Sequence, residues 1–294
     1  MRRCESGAAK AGVDIHKAEA RQRHRSPAVE SELRRQICNV GRSMYRRGLV
    51  VACEGNLSVR IDPERILVTP TAVCKGHLAP QDLLVTDLNG IVKRGAGRPS
   101  SEILMHLLFY RLRPDVHAIW HAHPPTATAF AVAGRALDEA VLPEVIVNLG
   151  TIPLAPYGTP GTWELCESLE LLVATHDAIL LQNHGVVTCG RDLTAAYQRL
   201  ETVEQFARIL LTAHFLGGPH VLSGLNVQKL IAARSFYGVS RPGDSSERRI
   251  MSESLAGGKI GAFSRPSSNM DLPKCAPKES HSLPFNWLIR PELH

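Results

Sequence analysis

His121 and His123 close the apolar run Ala118-Ile119-Trp120 and offer two imidazoles one residue apart. In a strand, alternate side chains share a face, so both rings project on one side, about 6–7 Å apart along the chain, while Ala122 faces away. Pro124-Pro125 ends that strand and presets φ for a helix beginning near Thr126. With 13 histidines in 294 residues, a His-x-His pair carries little weight alone. Its company carries more: a second strand-like run, Ala178 to Gln182, ends in Asn183-His184-Gly185, and a serine-rich helix start ends in Glu102. A catalytic zinc takes about three protein ligands and keeps one position open. Two plainer accounts stay available. His184 can satisfy its own tight turn, and Glu102 can be a first-turn acid stabilised by the helix dipole.

The elements that must position these groups follow from periodicity. Leu33, Ile37, Val40 and Met44 recur at helical spacing after Ser26-Pro27. Glu54-Gly55-Asn56 is a turn signal, and Leu57, Val59 and Ile61 then alternate with Ser58 and Arg60 as in a half-buried strand, paired through Asp62-Pro63 with Ile66 to Thr69. A further hairpin runs from Leu83 to Lys93, with Asn89-Gly90 predicting a type I′ turn. Ser100-Ser101-Glu102 opens a helix with an apolar stripe of Leu104, Leu107 and Leu108. Short apolar runs at 145–147 and 152–154 precede Gly158 to Thr162, which caps a helix to about Ala174. A long helix starts at Asp192 and ends near Gly217, and a last one spans about Val227 to Phe236.

Composition bounds the class. With 44% hydrophobic and 21% charged residues the chain can bury a core. It contains no apolar run near the roughly 18 residues of a membrane span, and Met1 to Glu5 lack the apolar stretch of a secretory signal. A cytoplasmic protein is expected, with no membrane partner. Seven scattered cysteines without a Cys-x-x-Cys point to neither a disulfide framework nor a zinc ribbon. The net charge of +6 comes largely from terminal arginines and lysines, and no aromatic interleaving suggests base stacking, so no nucleic-acid partner is expected. Residues 1–28 read as a basic disordered extension, 29–240 as the catalytic domain, and 241–294 as a tail of low order rich in Ser, Pro, Gly and Lys.

Two further groups suit an anion. Ser100 and Ser101 offer hydroxyls and unsatisfied N–H groups at a helix start, which fits a phosphate or simply an N-cap. Gly55-Asn56 is either a plain turn or a loop with exposed backbone donors.

Taken in order, Gly55-Asn56-Leu57-Ser58, Thr69-Pro70-Thr71, Pro99-Ser100-Ser101-Glu102, His121-Ala122-His123, Gln182-Asn183-His184-Gly185 and Tyr237-Gly238 resemble the class II aldolase and adducin family, and in particular its fuculose-phosphate aldolases. The resemblance covers about residues 29–239. It implies an α/β fold in three layers, αβα, with a central mainly antiparallel sheet flanked by helices, and a homotetramer. It implies zinc, or another divalent metal, held by His121, His123 and His184. It implies a phosphate held by Gly55, Asn56, Thr71, Ala72, Ser100 and Ser101, and proton transfer by Glu102. Tyr237 is carried over as a proton donor to the departing group, or it merely closes the last helix.

The expected reaction is retro-aldol cleavage of a phosphorylated ketose. A Lewis-acid metal binds the carbonyl and stabilises the enediolate that is left, and a nearby carboxylate moves the proton. Sugar-acid phosphate decarboxylation, pentulose-phosphate 4-epimerisation and thiosugar-phosphate dehydration use the same scaffold. Glutamate rather than aspartate at position 102 leans away from the epimerases. Two departures bear on the substrate: Ala72 stands where the family's phosphate loop has glycine, and Val141-Leu142-Pro143-Glu144 lacks the second tyrosine of the fuculose-phosphate aldolases. The non-enzymatic alternative, an adducin-like interaction module, is a form of the fold that has lost the metal ligands.

Overall fold

A computed structural model describes residues 27–239. The expected basic extension and low-order tail fall outside these residues, except that Pro27 and Ala28 already belong to the first helix.

The elements run α1 (Pro27–Arg46), β1 (Asn56–Arg60), β2 (Arg65–Val68), β3 (Leu84–Asp87), β4 (Val92–Arg94), α2 (Ile103–Leu112), β5 (Ala118–Ala122) and α3 (Pro125–Val132). They continue through α4 (Pro143–Asn148), β6 (Leu154–Ala155), α5 (Trp163–Val173), β7 (Ala178–Leu181), β8 (Gly185–Gly190), α6 (Leu193–Phe215) and α7 (Gly224–Ala232). Eight strands form one sheet in the order β4-β3-β2-β1-β5-β8-β7-β6, and every described pairing is antiparallel except β6 with β7. The architecture is the expected mainly antiparallel sheet flanked by helices.

Two apolar cores lie on opposite faces of the sheet, and the strands divide between them with the period of two that pleating imposes. Ala118, Trp120 and Ala122 of β5 join the core built with Ile37 and Met44 of α1, Phe130 of α3, and Leu200 and Phe206 of α6. Ile119 faces the other core, with Met105 and Phe109 of α2 and Leu165 and Leu169 of α5. His121, two residues on from Ile119, is therefore on the α2 face.

Local chemistry corrects two expectations and assigns one run that had none. In the hairpin between β3 and β4 only Gly90 has a positive φ, +81°, so the turn is not type I′. The carboxylate of Asp87 accepts the N–H groups of Asn89 and Ile91 at 2.9 and 3.0 Å and sets a turn with a bulge at Gly90. The run at 145–147 is helical within α4, because Pro143 at its first position presets the turn. Helix α2 begins at Ile103 with Glu102 as its N-cap, so the serine pair precedes the helix rather than starting it. Ser100 is tied backwards instead: its N–H donates to the Thr69 carbonyl at 3.1 Å, and its hydroxyl accepts the Glu102 N–H at 3.3 Å.

Candidate metal and active site

Strand β5 carries His121, fully buried, and delivers His123 just past its end. Two neighbours shape this end of the strand by having no side chain. A Cβ on Gly55, which has φ +69°, would lie 2.7 Å from the His121 carbonyl oxygen. One on Gly185 would lie 2.5 Å from His123 Cδ2. His184 sits in the tight turn between β7 and β8, after Asn183 in the left-handed region at φ +55°. That turn brings the third ring to the first two, with ring centroids 4.6 Å from His121 and 5.0 Å from His123.

Hydrogen bonds set the tautomers of the first pair. The Nδ1–H of His121 donates to the Val186 carbonyl at 2.9 Å, and His123 Nδ1 is 3.2 Å from the Glu54 carboxylate, so each Nε2 turns its lone pair inward. The two Nε2 atoms then stand 3.1 Å apart. Two lone pairs at that distance repel unless a proton or cation lies between them. Nitrogens sharing one tetrahedral ion at 2.0–2.1 Å would be about 3.3 Å apart. One ligand atom from each of the three histidines lies within 4.8 Å of the others. His184 Nδ1 and Glu102 Oε1 are buried without a hydrogen-bond partner. The donor set fits a divalent ion, which would take one inward nitrogen from each ring and offset the crowding of lone pairs there.

Glu102 faces the same nitrogens. Its Oε2 is 3.2 Å from His121 Nε2, and its Oε1 is 3.2 Å from His184 Nε2. Burial raises the pKa of this carboxyl, but the neighbouring His121 and His184, with the Asn56 amide, overcome that and hold it well below the usual range. His121 shows the reverse balance, with burial opposing its charged form and Glu102 raising its pKa above the ordinary value. Burial and the charge of His121 lower His184 to about 4.

The loops expected to hold phosphate are joined by backbone bonds. Thr71 N–H donates to the Arg98 carbonyl at 3.1 Å, Ser100 N–H to Thr69, and the Thr69 hydroxyl accepts the Leu57 N–H. Ala72 adopts the left-handed region at φ +58°, a conformation glycine takes at lower cost. Thr71, Ala72, Ser100 and Ser101 thus lie on two strapped loops beside Gly55 and Asn56. Asn56 itself is occupied elsewhere: its side-chain amide donates to Glu102 Oε2 at 2.8 Å and accepts from His106 at 2.5 Å. Tyr237 is not brought to this cluster by any hydrogen bond or ring contact among the described residues. It follows α7, 60% exposed, with its ring against Phe236.

Three residues of the site escaped the sequence reading. Glu54 orients His123 from a loop no period could assign. His106 sits among α2's apolar residues, and its spacing of four from Glu102 was the available signal. The Lys75 ammonium is buried, donating to the carbonyls of Cys53 and Val73 at 2.8 and 2.7 Å. Burial lowers its pKa, countered in part by nearby groups that include Glu102.

Residues 35–211 match the Class II Aldolase and Adducin N-terminal domain. The chain is 33% identical to the 3-oxo-tetronate 4-phosphate decarboxylase of Escherichia coli over 212 residues, 70% of this chain and 97% of that protein. It is 37% identical to an L-fuculose phosphate aldolase of Methanococcus maripaludis over 174 residues, 59% of this chain and 92% of the relative. A solved L-fuculose 1-phosphate aldolase superposes with a TM-score of 0.66 at 30% identity, covering 70% of this chain and 97% of that one. The chain belongs to the class II aldolase and adducin family.

Proposed function

We propose that this protein is a divalent-metal-dependent lyase that breaks the carbon–carbon bond next to a carbonyl in a phosphorylated sugar derivative, with decarboxylation of a 3-oxo sugar-acid phosphate as the reaction. The observation that carries the reading is the convergence of three imidazoles and one carboxylate, with Glu102 at 3.2 Å from both His121 and His184. His121, His123 and His184 would hold the ion, zinc by donor set. When bound, it acts as a Lewis acid that draws electron density from the substrate carbonyl.

The chain's own residues do the rest. Loss of carbon dioxide leaves the electron pair of the broken bond beside the carbonyl, and Glu102 passes a proton from solvent to that carbon. Asn56 holds the carboxylate in place. The strapped loops carrying Thr71, Ala72, Ser100 and Ser101, with the Gly55 turn, offer N–H and hydroxyl donors to the phosphate.

Likeness to the decarboxylase over 97% of its length supports carbon dioxide as the departing group. So does the proton inventory. A retro-aldol step must also remove a proton from the departing hydroxyl, and Tyr237, 60% exposed, is not joined to the cluster by any described contact. Retro-aldol cleavage of a ketose phosphate is the second reading, favoured by the likeness to fuculose-phosphate aldolases.

Metal-loaded protein incubated with 3-oxo-tetronate 4-phosphate should release carbon dioxide, and with L-fuculose 1-phosphate should yield little aldehyde. The opposite pattern would establish the aldolase, and turnover of neither would remove the lyase. Glu102→Gln should lower turnover by about 10²–10⁴ and abolish deuterium uptake from D₂O beside the carbonyl.

A further inference from the structure

Glu102 at the N-cap of α2, with His106 and Tyr110 within the helix, stand at intervals of four on one face, and β1 presents Asn56 and Ser58 on one side of the sheet. The two rows interlock through hydrogen bonds. Tyr110 Oη is 2.8 Å from Ser58 Oγ, Ser58 Oγ is 2.7 Å from His106 Nδ1, His106 Nε2 is 2.5 Å from Asn56 Oδ1, and Asn56 Nδ2 is 2.8 Å from Glu102 Oε2. Ser58 and His106 are fully buried, and Asn56 and Tyr110 are 3% exposed.

Burying five polar side chains between a strand and a helix is costly unless each is satisfied, and apolar pairs would join the same elements without that cost. The row also ends on the carboxylate that faces the histidines.

We propose that Tyr110, Ser58, His106 and Asn56 are positioning residues forming a one-directional hydrogen-bond relay that keeps the amide nitrogen of Asn56, and never its oxygen, on Glu102. The proposal rests on the reading of Glu102 as the proton-transfer group.

The direction follows from donor counting. An ionised carboxylate only accepts, so Asn56 must turn its NH₂ to Glu102 and its oxygen to His106. That oxygen requires a donor, so His106 carries its proton on Nε2. Burial and then the charge of His121 lower His106 to about 3, so the ring is neutral at pH 7 and its Nδ1 accepts. Ser58 must then donate to Nδ1, which leaves its oxygen to accept the Tyr110 hydroxyl. Reversing any member would set two acceptors face to face, ending with the Asn56 oxygen against the Glu102 carboxylate.

Two measurements decide it. In the full-length protein with ¹⁵N-labelled histidine, His106 should show a protonated Nε2 and a bare Nδ1 at pH 7; the opposite tautomer or an imidazolium overturns the relay. This readout needs no variant and no substrate, so it stands even if the assigned reaction fails. The second compares two substitutions under saturating metal, on whichever phosphate substrate the protein turns over. His106→Asn cannot reach the Nε2 position and should lower kcat about 10–100-fold, as loss of an outer-shell partner does, with KM and bound metal unchanged. His106→Gln can place an N–H there and should recover most of kcat. A rise in KM at constant kcat would assign Asn56 to the substrate instead, and equal loss in both variants would reduce His106 to packing; either result overturns the proposal.

Discussion

His184 differs from its two partners in how it is held. His121 is anchored through Val186 and His123 through Glu54, whereas the Nδ1 of His184 is buried without a partner. Its position comes from the turn alone. His184→Ala should leave the strands intact and remove one of three ligands, weakening divalent-metal binding by more than the about 10–100-fold that follows loss of an outer partner. Zinc titration against a chelator measures this, and unchanged affinity would exclude the three-histidine site. At this scale the residue types were legible in the sequence, because alternation puts His121 and His123 on one face whatever the rest of the chain does. Their partners were not. Glu54 lies 69 residues from His123, and Val186 lies 65 from His121.

Elements set the remaining tolerance. The antiparallel pairing of β1 with β5 places Asn56 opposite His121, and that of β5 with β8 places Val187 opposite it on the other side. Gly185 opens β8 where the backbone passes His123. Gly185→Ala should therefore act twice. The added methyl would meet the His123 ring and the Ala122 carbonyl, costing about 1–3 kcal/mol of stability as overpacking does, and the displaced ring should weaken metal binding. Thermal unfolding without metal, alongside metal titration, separates the two effects; an unchanged affinity would mean that the ring adapts. Helix and strand identities were largely legible from apolar period. The turn at Asn89-Gly90 was not, because the Asp87 side chain decides it. Nor was the start of α2, because Ser100 is bonded to a loop 31 residues earlier.

For the whole molecule, several large apolar side chains near the C-terminal end of the described residues are exposed. Phe215 and Leu216 are 83% and 82% exposed, and Leu225, Phe236 and Tyr237 are more than half exposed. Exposed apolar side chains mark association surfaces where they form a contiguous patch. The homotetramer that the family resemblance implies is a proposal, and these side chains are candidates for its interfaces. Sedimentation of the full-length protein should give about four times the chain mass, and the Phe215→Ser, Leu216→Ser pair should shift it towards smaller species. A wild-type monomer would refute this.

What the sequence determined by itself was the set of local periods and the order of motifs: a strand ending in two same-face histidines, an acid before a helix, and a histidine in a tight turn. These depend on backbone geometry repeating over a few residues, so neighbours in sequence suffice to read them. The spacing of Glu102, His106 and Tyr110 was present there too, but its meaning was not. Only the tertiary structure decided that Asn56 turns to Glu102, that Lys75 is buried beside two carbonyls, and that Tyr237 has no described contact with the cluster. Each depends on which distant element packs alongside, and a hydrogen bond between groups 46 residues apart, as in Asn56 with Glu102, follows the packing of a helix start on the sheet rather than local pattern.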